Sequence, residues 1–281
     1  MADGRASGEA PTEALYLDNA SLQKLTTVVV SCQPIFRLGE QERSLAKNIT
    51  PEKSAIVTKQ TVFYPQGGGQ PSDTGIIALG DGAESNQEDS FHVALVRKTL
   101  EGNILHFGTF TSPAAEQFFI QGQVVCQSID STKRNYHSRL HTAGHIIGLA
   151  MRLLVPELGE RKKVKANHSP GEACMEFEGL LYNEHKPLIE AKVNELVQKE
   201  LPVRISWWDE NKVQKTSLNM VEGLQLGGNG NVRIAEIGDI DANPCGGTHV
   251  AHTGLTGYIT IRKISRQKGI SRVSYEVPVQ L

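Results

Sequence analysis

The sequence predicts an α+β protein in which a part built from short antiparallel strands precedes a part that mixes helices and strands. From about residue 24 to residue 125, short apolar runs alternate with Gly, Pro and Asp, a pattern typical of strands joined by turns. After about residue 130, apolar residues recur at helical spacing and further strand-like runs follow. We therefore expect a disordered tail over 1–20, a β domain over 21–127 and an α+β domain over 128–281.

Composition bounds the class of protein. The chain has 281 residues, of which 39% are hydrophobic and 21% charged, so it can bury a sizeable core. Its net charge of −2 provides no global field for nucleic acid, and any polyanion contact needs a local patch. The four cysteines lack the spacing of a disulfide framework. We see no signal peptide and no membrane span, and we expect a soluble, cytoplasmic protein with no membrane contact.

The N-terminal strands are predicted from six apolar runs. The runs are "LTTVVVSCQPIF", "AIVTKQTVFYP", "TGIIAL", "FHVALVRKTL", "NILHFGTF" and "FIQGQVVCQ". Their spacing fits a small antiparallel β-barrel or sandwich. The polar stretch 80–90 between two of them is predicted to be an exposed loop.

The C-terminal part is predicted to begin with an amphipathic helix over 130–154, with Asp130 or Ser131 as its N-cap. A second helix is expected within 184–201. Strands are expected in "VRISWW", "VRIAEI", "YITIRKI" and "RVSYEVPV". Helices that cover one face of a sheet would give the α+β architecture.

Two histidines on the first helix and a second pair of residues near the C-terminus predict a metal site. His141 and His145 are four apart, so a helix places both rings on one face. Cys245 and His249 are also four apart, across two glycines that permit a tight backbone. Three imidazoles and one thiolate suit Zn²⁺ and argue against Mg²⁺ or Ca²⁺.

Other assignments of these residues are open. Either pair alone occurs often by chance, and His137 and His252 are spare candidates, although each would need a second ligand to change. Zinc peptidases with an H-E-x-x-H helix carry a glutamate directly after the first histidine as general base. That position is Thr142 here, so this mechanism lacks its base.

Three ordered motifs carry a family resemblance: "FYPQGGGQPSDTG" (63–75), "LHTAGH" (140–145) and "PCGGTHV" (244–250). Together they resemble the editing region of alanyl-tRNA synthetase and its free-standing relative, the AlaX family, in its medium-length type. The resemblance implies a β-barrel-like glycine-motif domain followed by a zinc-containing α+β editing domain, with one Zn²⁺ per chain. One departure is Gln66, where relatives often have glutamate.

The resemblance implies an activity, hydrolysis of the ester in alanine tRNA mischarged with serine and, in some members, glycine. A site that accepts serine and rejects alanine must hydrogen-bond the hydroxyl that alanine lacks. Candidates for this role are Gln70, Asp73 and Thr248, with Gln70 first because the family places this glutamine near the pocket. We expect Gln70→Ala to lower serine-ester hydrolysis without changing zinc content.

The glycine motif has simpler interpretations. A run of glycines can be no more than a turn between strands. A phosphate-binding loop would need a lysine followed by Ser or Thr, which are missing here.

RNA contacts are expected from two basic clusters, although such runs are usually solvated faces. The predicted RNA-binding residues are Arg161, Lys162, Lys163, Lys165, Arg262, Lys263, Arg266, Lys268 and Arg272.

The leading hypothesis is therefore an aminoacyl-tRNA ester hydrolase that edits Ser-tRNA(Ala) in trans. The alternatives are a non-catalytic tRNA-binding module that zinc stabilises, and an unrelated zinc hydrolase of small molecules. The sequence leaves open whether all four ligands bind at once, whether zinc is catalytic, and what the oligomeric state is.

Overall fold

The computed structural model describes residues 10–50, 52–81, 89–215 and 230–280. They form two compact units, one of Met1–Gln66 with Ser72–Arg134 and one of Gly67–Pro71 with Asn135–Leu281. The short glycine-rich segment thus belongs to the second unit, whereas the chain on both sides of it belongs to the first. The domains expected from the sequence, 21–127 and 128–281, are units that would fold independently. That expectation stays a prediction.

Most of the regular secondary structure in the first unit is β-strand. Its elements are β1 (Glu13–Ala14), β2 (Lys24–Pro34), α1 (Glu40–Leu45), β3 (Ser54–Thr58), β4 (Gln60–Thr61), β5 (Gly75–Leu79), β6 (Ser90–Lys98), β7 (Ile104–Phe110) and β8 (Val124–Ile129).

Six of these strands close into a barrel. The order around it is β2–β3–β7–β6–β5–β8, and every neighbouring pair is antiparallel. All five residues of β3 are buried, because Ile56 packs in the main core while Ala55 and Val57 pack in a second cluster with Ile35 and Leu38. A closed barrel confirms the antiparallel β-barrel and removes the open edges that a sandwich would keep.

The predicted tail is shorter than expected. Residues 1–9 lie outside the described residues, but Glu13–Ala14 pairs with Gln60–Thr61, and Tyr16 is buried against Tyr64. A buried aromatic ring and two backbone pairings hold this segment, so the expectation of disorder up to residue 20 is wrong from residue 13 onward. Most of the loop predicted over 80–90 lies outside the described residues.

One buried histidine of the barrel sits in a polar network. His106 is fully buried, with Nε2 2.8 Å from the Thr61 hydroxyl and Nδ1 2.9 Å from the Ile56 carbonyl oxygen. Burial lowers its pKa to about 4, against a smaller opposing effect of the Ile56 carbonyl. The ring is therefore neutral at pH 7.

The second unit mixes helices and strands, which confirms the α+β class. Its helical elements are α2 (Ser131–Leu153), whose first turn belongs to the first unit, α3 (Val155–Leu158), α4 (Lys186–Gln198) and α5 (Glu210–Lys215). Its strands are β9 (Lys163–Asn167), β10 (Cys174–Glu178), β11 (Val203–Trp208), β12 (Val232–Ile237), β13 (Asp241–Pro244), β14 (Thr260–Gln267) and β15 (Ile270–Glu276).

The strands of this unit form two antiparallel sheets, β14–β15–β10–β9 and β11–β12–β13. Helices α2 and α4 pack on one face of the four-stranded sheet, as the sequence predicts. The shared core includes Ile147 of α2, Val193 of α4, Phe177 of β10, Ile261 of β14 and Val273 of β15. Since side chains alternate along a strand, the residues between these core positions face away from the helices.

Helix α2 begins where its capping residue predicts. The Asp130 side chain accepts a hydrogen bond from the Lys133 backbone N–H at 3.0 Å, and its carbonyl accepts from Arg134 N at 3.0 Å. Within the described ranges, no helix is both long and apolar enough to cross a bilayer.

Candidate metal centre

The four predicted ligands lie together in the second unit. The ligand atoms of His141, His145, Cys245 and His249 are all within 4.8 Å of one another. Two come from one face of α2, one turn apart, and two from the loop that follows β13. The spare candidates His137 and His252 are not part of this cluster.

The two distances from the Cys245 sulfur are close to those of a tetrahedral zinc site. Cys245 Sγ lies 3.4 Å from His141 Nε2 and 3.3 Å from His249 Nε2. Zinc–nitrogen and zinc–sulfur bonds of about 2.0 and 2.3 Å, opened at the tetrahedral angle, would place N and S about 3.6 Å apart. The residues present therefore fit a metal that prefers mixed N and S donors.

The outer edge of His141 is held by Gln70. His141 Nδ1 lies 2.7 Å from Gln70 Oε1, and the same oxygen accepts the Thr248 backbone N–H at 3.1 Å. The amide nitrogen of Gln70 donates to the Thr248 hydroxyl at 2.8 Å. Because Oε1 is an acceptor only, we assign the proton to Nδ1, which leaves the Nε2 lone pair of His141 facing Cys245.

Thr142 holds the Nδ1 edge of His249, as Gln70 holds that of His141. Its hydroxyl donates to the Ser138 carbonyl at 2.8 Å, so its lone pairs accept from Val250 N at 3.3 Å and from His249 Nδ1 at 3.2 Å. The residue at the position of the peptidase glutamate thus orients a ligand.

Electrostatics keep the imidazoles neutral. Burial, followed by the neighbouring histidines and cations, lowers the pKa of His141 and His145 well below its usual value, and burial lowers that of His249 to about 3. Neutral imidazole is the form that binds metal. Burial raises the pKa of the Cys245 thiol, against the smaller opposing effects of the Gly247 N–H and Arg233.

Backbone contacts fix the position of Cys245. Its N–H donates to the Arg233 carbonyl at 3.1 Å, and the buried Arg233 guanidinium donates to the Cys245 carbonyl at 2.6 Å. A Cβ atom on Gly247 would lie 2.1 Å from His141 Cε1, so only glycine lets the loop pass this close to the ring.

The three predicted specificity residues have different surroundings. Gln70 and Thr248 are fully buried and hydrogen-bonded to each other, and the Thr248 hydroxyl also lies 2.7 Å from that of Ser138. The expectation that Gln70→Ala would leave the metal ligands untouched is wrong, because Gln70 contacts His141. That Gln70 and Thr248 determine specificity stays a prediction.

Asp73, the third candidate, lies in the first unit in a buried ion pair with Arg134. Both carboxylate oxygens accept from Arg134 Nε at 3.0 Å, and Oδ2 also accepts from the guanidinium Nη2 and from the Tyr64 N–H. This ion pair gives the aspartate that follows the glycines within the motif a structural role. Its predicted contact with substrate stays a prediction.

The predicted RNA-binding residues separate into groups. Lys165, Lys263 and Arg272 lie on the face of the four-stranded sheet that turns away from the helices, with Glu176 opposite both Lys165 and Arg272 in the register. Lys263 and Arg272 line a cleft of about 680 Å³ together with Arg262.

The other cations of the two clusters are not among the residues that line this cleft. The Arg266 guanidinium lies 4.4 Å from the Tyr182 ring centre and donates to the Leu181 carbonyl, and Arg161 donates to the Glu160 carbonyl. Lys163 starts β9 and contributes to lowering the pKa of His145. Lys162 precedes β9, and Lys268 occupies the turn between β14 and β15 with φ of 51°. Binding of RNA by any of them stays a prediction.

Sequence reasoning missed four residues around the ligands: Ser138, Thr142 as an orienting group, Arg233 and His168. His168 is the most prominent, because its ring stacks on His141 with centres 4.3 Å apart. Ser138 lies one helical turn before His141, a signal that spacing alone could have given, whereas Thr142 directly follows His141 and spacing gives no such signal for it. Arg233 and His168 are distant in sequence and carry no such signal.

Two family models match parts of the chain. Residues 232–274 match the threonyl and alanyl tRNA synthetase second additional domain, and residues 9–133 match class II (A) tRNA synthetases.

Relatives among characterised proteins are alanine–tRNA ligases. That of Methanosphaera stadtmanae is 30% identical over 229 residues, covering 80% of this chain and 24% of the ligase. That of Halorubrum lacusprofundi is 30% identical over 279 residues, covering 97% of this chain and 26% of the ligase. That of Haloquadratum walsbyi is 33% identical over 227 residues, covering 78% of this chain and 22% of the ligase. The chain spans about a quarter of the length of the relatives it matches.

Parts of the chain are therefore similar to class II tRNA synthetases and to the second additional domain of the threonyl and alanyl enzymes, and the His/Cys cluster contributes two residues from within the second match. The chain is thus similar to alanine–tRNA ligases over about a quarter of their length, and its kinship with free-standing alanyl-tRNA editing proteins stays a prediction.

Proposed function

We propose that the chain is a hydrolase that removes serine from mischarged Ser-tRNA(Ala), with the glycine ester as a second candidate substrate. It would act in trans, in the cytoplasm, on tRNA that another molecule has charged. The observation that carries the proposal is the cluster of His141, His145, Cys245 and His249, whose members are buried or partly buried, in a region related to alanine–tRNA ligases.

The four ligands would hold one Zn²⁺. When bound, the metal would supply a Lewis acid that can polarise a carbonyl or orient a substrate group. Four protein ligands favour a closed site, and in that case the metal organises the pocket around it. Gln70 and Thr142 hold protons at the Nδ1 atoms of His141 and His249, and so keep their Nε2 atoms available.

Selection of serine is proposed to depend on the hydroxyls beside the ligands. A buried polar group that pairs with the substrate hydroxyl is left unpaired when alanine binds, and this penalty rejects alanine. Thr248 and Ser138 present two buried hydroxyls 2.7 Å apart, and the Gln70 amide fixes the orientation of the first.

Deacylation of Ser-tRNA(Ala), with Ala-tRNA(Ala) measured in parallel, tests the proposal directly. The purified chain should carry about one zinc and release serine faster than alanine. The double variant His141→Ala/Cys245→Ala should lose zinc and activity together, whereas His92→Ala, an exposed histidine of the barrel, should keep both.

Three results would contradict this proposal in different ways. Full zinc content in the double variant would refute the ligand assignment. A zinc-loaded chain that binds tRNA but releases no serine would instead favour a non-catalytic tRNA-binding module. Serine release that uncharged tRNA does not inhibit would favour a hydrolase of small molecules.

A further inference from the structure

A fifth histidine lies against the ligand cluster without belonging to it. His168, just after β9, is buried, and its ring lies nearly parallel to that of His141, with a 20° angle between the planes and 4.3 Å between the centres. The other histidine pairs around the cluster are tilted or edge-on, with centres 4.7 Å or more apart. His168 therefore covers one face of the His141 ring.

The orientation of His168 is fixed by Tyr275. His168 Nδ1 lies 2.6 Å from the Tyr275 hydroxyl, which donates its only proton to the Leu140 carbonyl at 2.9 Å. The hydroxyl must then accept from His168, so the imidazole carries its proton on Nδ1. Because Leu140 directly precedes His141, this chain of hydrogen bonds ties His168 to the same helical turn that carries the ligand.

The backbone of His168 is held as well. Its N–H donates to the carbonyl of Gly69 at 2.8 Å, one residue before Gln70. Gln70 in turn holds the Nδ1 edge of His141. The glycine-rich segment thus fixes His141 twice, directly through Gln70 and indirectly through the ring that stacks on it.

Helix α2 makes room for this ring at a glycine. A Cβ atom on Gly144 would lie 2.3 Å from Cε1 and 2.7 Å from Nδ1 of His168, distances that no real side chain tolerates. Gly144 is three residues after His141 and therefore on the same side of the helix. The missing side chain is what lets the His168 ring lie flat beside the helix and against His141.

We propose that His168 is a positioning residue that holds the His141 ring in its metal-binding orientation by stacking on its face. Rotation about χ2 of His141 would swing the ring into His168 and break the hydrogen bond to Gln70. Stacking and the Gln70 bond thus restrict the same motion from two directions. This inference rests on the proposed metal site.

Cobalt binding measures this role without tRNA and without turnover. Co²⁺ is titrated into metal-free protein, and the visible and thiolate-to-cobalt absorption bands report affinity and ligand geometry. His168→Ala should weaken Co²⁺ binding about tenfold to hundredfold, as expected for loss of an outer partner of a metal ligand. His168→Phe keeps a flat ring without the Tyr275 hydrogen bond and should stay within about threefold of the parent. His92→Ala is the matched control.

A double-mutant cycle separates positioning from a general folding defect. Gly144→Ala should weaken Co²⁺ binding in the parent, because the new methyl group displaces His168. The same change should have much less effect in the His168→Ala background, where the displaced ring atoms are gone. Equal effects of Gly144→Ala in both backgrounds would overturn the proposal.

The remaining outcomes are distinguishable. A parent chain that shows no thiolate band with Co²⁺ would refute the metal site and this inference together. A parent that binds Co²⁺, with unchanged affinity in His168→Ala, would refute only the positioning role. Equal weakening by His168→Ala and His168→Phe would also refute it, because the hydrogen bond to Tyr275 would then matter and the stacked ring would not.

Discussion

Replacing Gln70 by alanine should weaken metal binding and serine discrimination at once. The change removes the acceptor of two buried donors, His141 Nδ1–H at 2.7 Å and Thr248 N–H at 3.1 Å, and the donor to the Thr248 hydroxyl at 2.8 Å. A buried donor left without a partner costs about 1–3 kcal/mol, so two of them cost about 2–6 kcal/mol, divided between folding and metal binding.

The part of this cost that weakens metal binding can be estimated separately. Loss of an outer partner of a metal ligand typically lowers metal affinity about tenfold to hundredfold, or about 1.4–2.8 kcal/mol. Freed from its acceptor, the His141 ring can also carry its proton on Nε2, the atom that faces Cys245. The part of the cost that falls on Thr248 should appear as a lower ratio of serine to alanine release.

Two assays on the same samples follow these effects. Competition with a chromophoric chelator gives zinc affinity, and parallel deacylation of the serine and alanine esters gives the ratio. Gln66→Ala is the matched control, because Gln66 is an exposed glutamine in the same motif. A folded Gln70→Ala protein with zinc affinity within about twofold of the parent would refute the reasoning, since the tenfold lower bound would be missed.

Three further predictions follow from other contacts. Thr142→Val should lower zinc affinity about tenfold, while Thr142→Ser, which keeps the hydroxyl that accepts from His249, should not; equal loss in both variants would contradict this role. His106 should contribute a fall of up to about 3 kcal/mol in the unfolding free energy as pH decreases from about 6.5 to about 4, because the unfolded chain protonates this histidine and the folded barrel, with pKa about 4, does not; the buried histidines of the second unit add to the fall, so denaturant titrations should show a shallower pH dependence for His106→Asn than for the parent, and an unchanged dependence would contradict the His106 contribution. If the cleft beside β14 binds phosphate, Lys263→Ala/Arg272→Ala should make tRNA affinity less dependent on salt, reducing the slope of log affinity against log salt concentration by about one per contact removed. Lys47→Ala, which replaces an exposed lysine of the first unit, should leave that slope unchanged. An unchanged slope in the double variant would indicate that Lys263 and Arg272 are only solvated surface charges.

Strong periodicity made parts of the fold predictable. The helix expected over 130–154 is observed at Ser131–Leu153, and "VRISWW" and "VRIAEI" match Val203–Trp208 and Val232–Ile237. The ligand cluster followed from two i, i+4 pairs, because a helical turn fixes the distance between His141 and His145 without reference to the rest of the chain.

The elements that sequence reasoning missed lack a local signal. Lys163–Asn167 is polar along most of its length and lies at a sheet edge, and Asp241–Pro244 is an edge strand that contains proline. Tertiary pairing, rather than propensity, makes these segments strands. His168 was missed for a related reason, since only the fold brings an isolated histidine onto His141.

Because Gly67–Pro71 belongs to the C-terminal unit, a fragment that starts at residue 135 is an incomplete unit. Such a fragment would retain all four candidate ligands, yet it would lack the amide that orients His141 and the carbonyl that anchors His168. A chain truncated to this fragment should therefore keep every candidate ligand and still bind metal poorly. Five residues that precede the helix in sequence thus decide whether ligands more than 70 residues further along the chain are correctly oriented, so the smallest metal-binding fragment of this chain has to include Gly67–Pro71.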